Sequence, residues 1–330
     1  MDYLDAEIRH INLSGGLYSR LVFGEEEPSE GNYFQTNPFE DPHKHNVLFQ
    51  GSSVLEPRFR DVDPHRSYVY VVSLWGNVDL RRRVLDELAR IKRKHHQIAI
   101  VGYWADPAFD MSPYDGYSFD LLVQSVAELA SKWATKGVKT VHVPVASLNV
   151  SAQSNVTHDA FSVGTATDLR LAKIVNSERQ FRANDIDCYW CIAGPGVLEH
   201  HDAEVSAIQR YREFPDRVFM PPDETLSMAS QVNVMLNISR LPDSYQTNPS
   251  YYAIMFNKKL LIDSDMIRDS AYFDSRFMKV VDFTGPAWLT PDLADWMKTT
   301  EEIDYGYDGE WEPRVFYRNI RQMLEESSHG

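Results

Sequence analysis

"SYVYVVSLWGNVDLRRRVLDELARIKRKHHQIAIVGYW" runs from Ser67 to Trp104, and its reading decides the class of fold. The first nine residues are an almost unbroken apolar run that stops at Gly76-Asn77. A strand covered on both faces reads this way, whereas a half-exposed strand alternates. Leu80, Val84, Leu88 and Ile91 then recur at helical spacing and line one helix face. The last eight residues, "QIAIVGYW", form a second buried strand. Two buried strands joined through an amphipathic helix make a β-α-β unit, which requires the strands to lie parallel.

The same alternation extends in both directions. Downstream, "SFDLLVQSVAELASKWATKG" (118–137) reads as an amphipathic helix closed by Gly137, and "VKTVHVPV" (138–145) as a third strand. Upstream, residues 7–24 read as a strand, a turn at Ser14-Gly15-Gly16 and a strand, followed by a long loop rich in Pro, Gly and acid. The small, polar stretch "LNVSAQSNVTHDAFSVGTATD" (148–168) reads as a linker or lid. Beyond it come a helix, "DLRLAKIVNSERQFRAND", and the strands "CYWCIAG", "VNVMLNIS" and "KKLLIDSD". A short helix, "PSYYAIMFN", separates the last two, and "PRVFYRNIRQMLEESS" ends the chain as a helix. The expected architecture is α/β: two Rossmann-like parallel-sheet domains, 1–160 and 161–330, with a C-terminal helix.

Composition narrows the function. The chain has 330 residues, 43% of them hydrophobic and 12% aromatic, enough for a large core. A net charge of −15 repels phosphate backbones at long range and argues against nucleic-acid binding by the surface as a whole. Arg81, Arg82, Arg83, Arg90, Lys92, Arg93 and Lys94 are the exception. They read first as a solvated helix face and, if functional, as a dock for a phosphate-rich partner such as nucleic acid. Cys188 and Cys191 are the only cysteines. On a strand they point to opposite faces, so they are expected as two buried thiols rather than a redox pair or half a zinc site. The adjacent pairs His95/His96 and His200/His201 do not face one ion on a helix, so neither a metal nor a cofactor is expected. "MDYLDAEIRH" lacks the apolar centre of a signal peptide and no apolar run reaches a membrane span, which suggests a cytoplasmic protein.

Ligands of open parallel sheets bind beyond the carboxyl ends of the strands. In "IAGPGVLEHHD", Gly194 and Gly196 let a ligand approach the backbone before a helix whose amide groups would face an anion. "NISRLPDSYQTNPS" brings Ser239, Arg240, Asn248 and Ser250 to the end of another strand, and a guanidinium there forks onto two phosphate oxygens. In the first half, "GYWADPAFDMSPYDGYSFD" mixes carboxylates with aromatic rings. Rings stack on sugars or bases, and Asp106 and Asp115 are carboxylates able to take up a proton.

Taken together, "CYWCIAGPG … RVFMPPDETLSMASQVNVMLNISR … PSYYAIMFNKKLLIDSD" resembles the second domain of nucleotide-sugar glycosyltransferases of the two-Rossmann GT-B type, and more distantly phage DNA glucosyltransferases. The resemblance covers roughly residues 187–285. It implies a transferase that binds a nucleotide-sugar in a cleft between its two domains, with the donor on the C-terminal side and the acceptor on the N-terminal side, where Asp106 or Asp115 would take the proton from an acceptor hydroxyl; the lack of a metal-ligand cluster fits a metal-independent activity. Gly194, Gly196, Arg240 and Asn248 are the donor-phosphate candidates it implies. Tyr252 stands where that family usually carries a Glu for the donor ribose, and a phenol supplies no carboxylate. Two alternatives stay open: another nucleotide- or S-adenosylmethionine-binding α/β enzyme, and a non-catalytic binding or assembly protein on the same fold.

Overall fold

The computed structural model describes residues 3–11, 33–36, 62–63, 65–74, 78–104, 110–125, 130, 133, 136–141, 155–165, 167–193, 220, 222–239 and 247–329. In chain order the strands are β1 (Glu7–Ile11), β2 (Tyr33–Thr36), β3 (Tyr68–Ser73), β4 (Ile98–Trp104), β5 (Leu121–Gln124), β6 (Val138–Thr140), β7 (His158–Thr165), β8 (Cys188–Ala193), β9 (Val232–Asn237), β10 (Lys259–Ile262) and β11 (Met278–Val280). The helices are α1 (Val78–Lys92), α2 (Asp168–Ala183), α3 (Pro222–Ser230), α4 (Asn248–Met255), α5 (Pro291–Lys298) and α6 (Pro313–His329). Contacts divide the chain into two compact units, Met1–Leu148 with Gly309–Gly330, and Asn149–Asp308.

The first unit is a six-stranded sheet in the order β2-β1-β3-β4-β5-β6, and every pair is parallel. Strand alternation gives it two apolar faces. Val84, Leu85, Leu88 and Ile91 of α1 pack with Tyr68, Tyr70, Val72, Ile98 and Ile100 on one. Phe316, Tyr317, Ile320 and Leu324 of α6 pack with Ile8, Val69, Val71, Val101 and Tyr103 on the other. The last helix therefore belongs to the first unit, because its apolar stripe covers that unit's open face.

The second unit is a five-stranded parallel sheet in the order β11-β10-β9-β7-β8. Leu171, Ile174 and Phe181 of α2, with Ala294 and Met297 of α5, share a core with Trp190, Val234, Leu236 and Leu261. Helices α3 and α4 lie against β7, β9 and β10. Both sheets follow one doubly wound order: the second strand of each unit adds on one side of the first, and the rest add on the other. Each therefore has a topological switch point, between β1 and β3 and between β7 and β9. This is the expected pair of Rossmann-like units.

Three sequence expectations are corrected. Residues 148–168 are not a linker throughout, since 158–165 form β7, at the switch point of the second sheet. Its mixed composition hid it: Ala160, Phe161 and Ser162 are buried, but the strand lacks the continuous apolar run that marks β3 and β4. The expected division at 160/161 falls inside that strand. Residues 121–124, expected as helix, are the strand β5, whose four residues fit either period. Within the basic run, Arg82, Arg83, Arg90, Arg93 and Lys94 are exposed, as a solvated helix face requires, and Arg81 is the exception. Arg81 is fully buried with Nε donating to the Ser73 carbonyl, and Arg82 donates to the Pro113 carbonyl. Arg90 pairs with Glu87 and Lys92 with Asp120, so four of these cations are occupied within the unit.

Candidate functional site

Beyond β7 the chain turns into α2. The Thr167 hydroxyl accepts the Arg170 amide at 3.4 Å and caps the helix. One turn in, the Arg170 side chain folds back over the sheet edge, and its Nε donates to the Ile238 carbonyl at 2.8 Å, just past β9. A Cβ placed on Gly164 would lie 2.6 Å from Arg170 Nη1. The glycine in β7 is thus what lets a guanidinium lie across the switch point.

Lys173, one residue short of the next turn, reaches Asp263 Oδ2 at 2.6 Å, with both side chains largely buried. Asp263 follows β10, and its Oδ1 accepts the Ser239 amide at 2.9 Å. Both carboxylate oxygens are engaged, which makes Asp263 a brace tying α2, the end of β9 and the end of β10 together. Asn237 ends β9 and works both ways: its amide nitrogen donates to Ser250 Oγ at 2.7 Å, and its oxygen accepts the Thr247 hydroxyl at 2.9 Å. Thr247 is the N-cap residue of α4 but spends its hydroxyl on Asn237 instead of its own helix.

Of the residues expected from sequence, Ser239, Asn248 and Ser250 come together at this carboxyl edge, where Ser239 and Ser250 are buried. Tyr252 sits one turn further along α4, 2% exposed, packed into the unit. Gly194, Gly196, Arg240 and Asp106 lie outside the described residues. Asp115 is described and is elsewhere. It is exposed, ion-paired with Lys136 just before β6, and lines a cavity of about 670 Å³ with Tyr117, Phe119 and Lys139. That is the amino end of β5 and β6, opposite the edge where parallel sheets take ligands, and the base is not assigned to it. Sequence reasoning missed Arg170, Lys173, Asn237 and Asp263. The available signal for Arg170 is "GTATDLR", a glycine and a helix cap followed by an arginine, which straddles the 148–168 stretch and the helix after it.

The corresponding edge of the first unit also carries a buried arginine. Arg81 and the Tyr114 hydroxyl, the latter at 2.9 Å, occupy the carbonyls of Ser73 and Leu74. Burial lowers the Arg81 pKa to about 10, opposed by Tyr114. Cys188 and Cys191 form no disulfide and are buried, and burial pushes the Cys191 thiol up to about 11, away from thiolate chemistry at neutral pH. Among the described residues, no group of three or more His, Cys, Asp or Glu could hold a metal ion, and no helix is long and apolar enough to cross a membrane.

No protein family matches this sequence, and no curated protein does. Solved structures do. Sucrose-phosphate synthase from Thermosynechococcus elongatus matches at 10% identity over 97% of this chain and 94% of that one, with a TM-score of 0.49. The catalytic domain of starch synthase IV from Arabidopsis thaliana, bound to ADP and acarbose, matches at 9% identity over 80% and 72%, with a TM-score of 0.48. A putative UDP-N-acetylglucosamine 2-epimerase from Listeria monocytogenes matches at 9% identity over 97% of both chains, with a TM-score of 0.45. What the site can do follows from its own side chains.

Proposed function

We propose that this chain is a glycosyltransferase whose second unit holds the diphosphate of a nucleotide-sugar at the β7/β9 switch point. The observation that carries the proposal is the Arg170 guanidinium laid over Gly164 at the amino end of α2. A helix amino terminus and an arginine fork together stabilise an anion. In sugar transfer the charge to be stabilised develops on the departing diphosphate. Asn248 and the residues after Ser239, Arg240 among them, complete the donor side, as the sequence resemblance implies. Lys173 and Asp263 hold the edge in shape. The charge is then carried by protein groups, and no divalent cation is needed. Tyr252 is buried on α4, so the donor ribose is recognised by a group other than a carboxylate at that position. For the acceptor base, Asp106 is what remains of the two carboxylates that the sequence offers.

Isothermal titration with UDP, ADP, GDP and dTDP tests this directly. One diphosphate should bind without added metal, and Arg170→Ala should weaken it by about 1.5–3 kcal/mol, the usual worth of a hydrogen bond to a charged group. If every diphosphate fails to bind, or Arg170→Ala binds as well as the parent, the assignment is lost.

A further inference from the structure

His10 lies on β1 with its ring wholly inside the first unit. Strand alternation sends Arg9 to the α1 face, where it lies over the Tyr68 ring, and sends Ile8 and His10 to the face covered by α6. Both imidazole nitrogens are engaged: Nδ1 is 2.9 Å from the Tyr317 hydroxyl on α6, and Nε2 is 2.8 Å from Ser73 Oγ on β3. The Phe316 ring stacks against it, and Tyr103 of β4 meets it edge-on. The titratable and charged groups around it are Tyr317 and Arg321 from α6, Tyr103 from β4, and Arg81 of α1 acting through the Ser73 carbonyl.

We propose that His10 is an acid-sensitive pin for the C-terminal helix: when its imidazole takes a proton, α6 lifts off the first unit while the six-stranded sheet stays intact. The reason is geometric. A ring this deeply buried must meet water to hold a proton. On one side it is fixed in a strand paired with β2 and β3. On the other its cover is α6, a helix that adds no strand to the sheet. Lifting that helix breaks the Tyr317 contact, the Arg321 bond to the Ala6 carbonyl, the Glu325 bond to the Tyr3 amide and an apolar stripe, but no strand ladder. Burial holds the ring's pKa down at about 3, against 6.5 in water. The sign follows: the closed state binds fewer protons than the open one between those values. Opening is therefore disfavoured above pH 6.5, and each pH unit below it favours opening by about tenfold.

Hydrogen–deuterium exchange of the full chain, corrected for intrinsic exchange at each pH, reads this. Peptides from 313–329 should show an opening equilibrium that rises about tenfold per unit from pH 6 to 4.5, while peptides from β3 and β4 stay protected. In His10→Gln the rise should vanish. A pH-independent α6, an equal rise in His10→Gln, or β3 and β4 opening in step with α6 would each overturn the proposal. Should His10→Gln fail to fold, an NMR titration of the wild-type ring decides: protonation that tracks α6 opening supports the pin, and a ring still neutral while α6 opens refutes it.

Discussion

At the scale of the residue, the candidate site turns on one missing methyl group. Gly164 has no Cβ, and Arg170 Nη1 occupies the place one would need. Because the clashing atom is the tip of a flexible side chain, Gly164→Ala should move the guanidinium rather than unfold the strand. We expect diphosphate binding to fall about tenfold, the 1.4 kcal/mol of one displaced contact, with a melting temperature close to the parent's; titration and a thermal melt read the two separately. Lys173→Met should behave in the opposite way. It strands Asp263 in a buried site, and removing one partner of a buried pair costs about 3–5 kcal/mol. Urea unfolding should show that loss, and Lys173→Met with Asp263→Leu should recover much of it. If the single change is neutral in urea, the pair does not brace the edge.

At the scale of the element, helix ends show how local chemistry was both readable and hidden. After α2, Asp185 has φ of 52°, and the Ile186 amide bonds back to the Phe181 carbonyl at 3.0 Å. After α4, Asn257 repeats this with φ of 52° and Lys258 bonded to the Ala253 carbonyl at 2.7 Å. Asn and Asp tolerate the left-handed conformation that ends a helix this way, and a β-branched residue does not. Asp185→Val should therefore cost about 1–2 kcal/mol, measured by urea unfolding; a change within a few tenths would mean the turn relaxes. The far end of α5 is held differently. The buried ammonium of Lys259 donates to the carbonyls of Trp296 and Thr299, both at 2.7 Å, and pairs with Glu301. A lysine opening "KLLI" gives no hint of this, because its partners lie 37 or more residues away.

At the scale of the whole molecule, the chain's last helix closes its first unit. Phe316, Tyr317, Ile320 and Leu324 cover Ile8, Val69, Val71 and Val101. Burying four such side chains is worth on the order of 5–10 kcal/mol, a large share of the stability of an ordinary domain. A chain ending at residue 308 should keep both sheets but hold the first unit at a reduced stability. Calorimetry should then show one transition moved to lower temperature and the other unchanged, and exchange should find β3 and β4 still paired but less protected than in the full chain, while β7 to β10 are unaffected. A truncated chain with neither transition moved would mean that α6 is a minor cover.

The sequence by itself determined the class of fold. Buried runs such as Tyr68–Ser73 and Ile98–Trp104, with a helical stripe between them, admit only parallel strands joined by a crossover. It also determined the edge of the second unit where Ser239, Asn248 and Ser250 gather, since those residues end a strand and open a helix. Only the tertiary structure decided which cation crosses the switch point, which strand is β7, and which unit owns α6. The reason is the same each time. A strand of mixed composition such as β7 carries no continuous apolar run, and its Gly164 leaves room for Arg170. A buried charge such as Lys173 or Arg81 looks like any surface charge until its distant partner is placed beside it. The stripe of an amphipathic helix says that it covers something, and only folding says what.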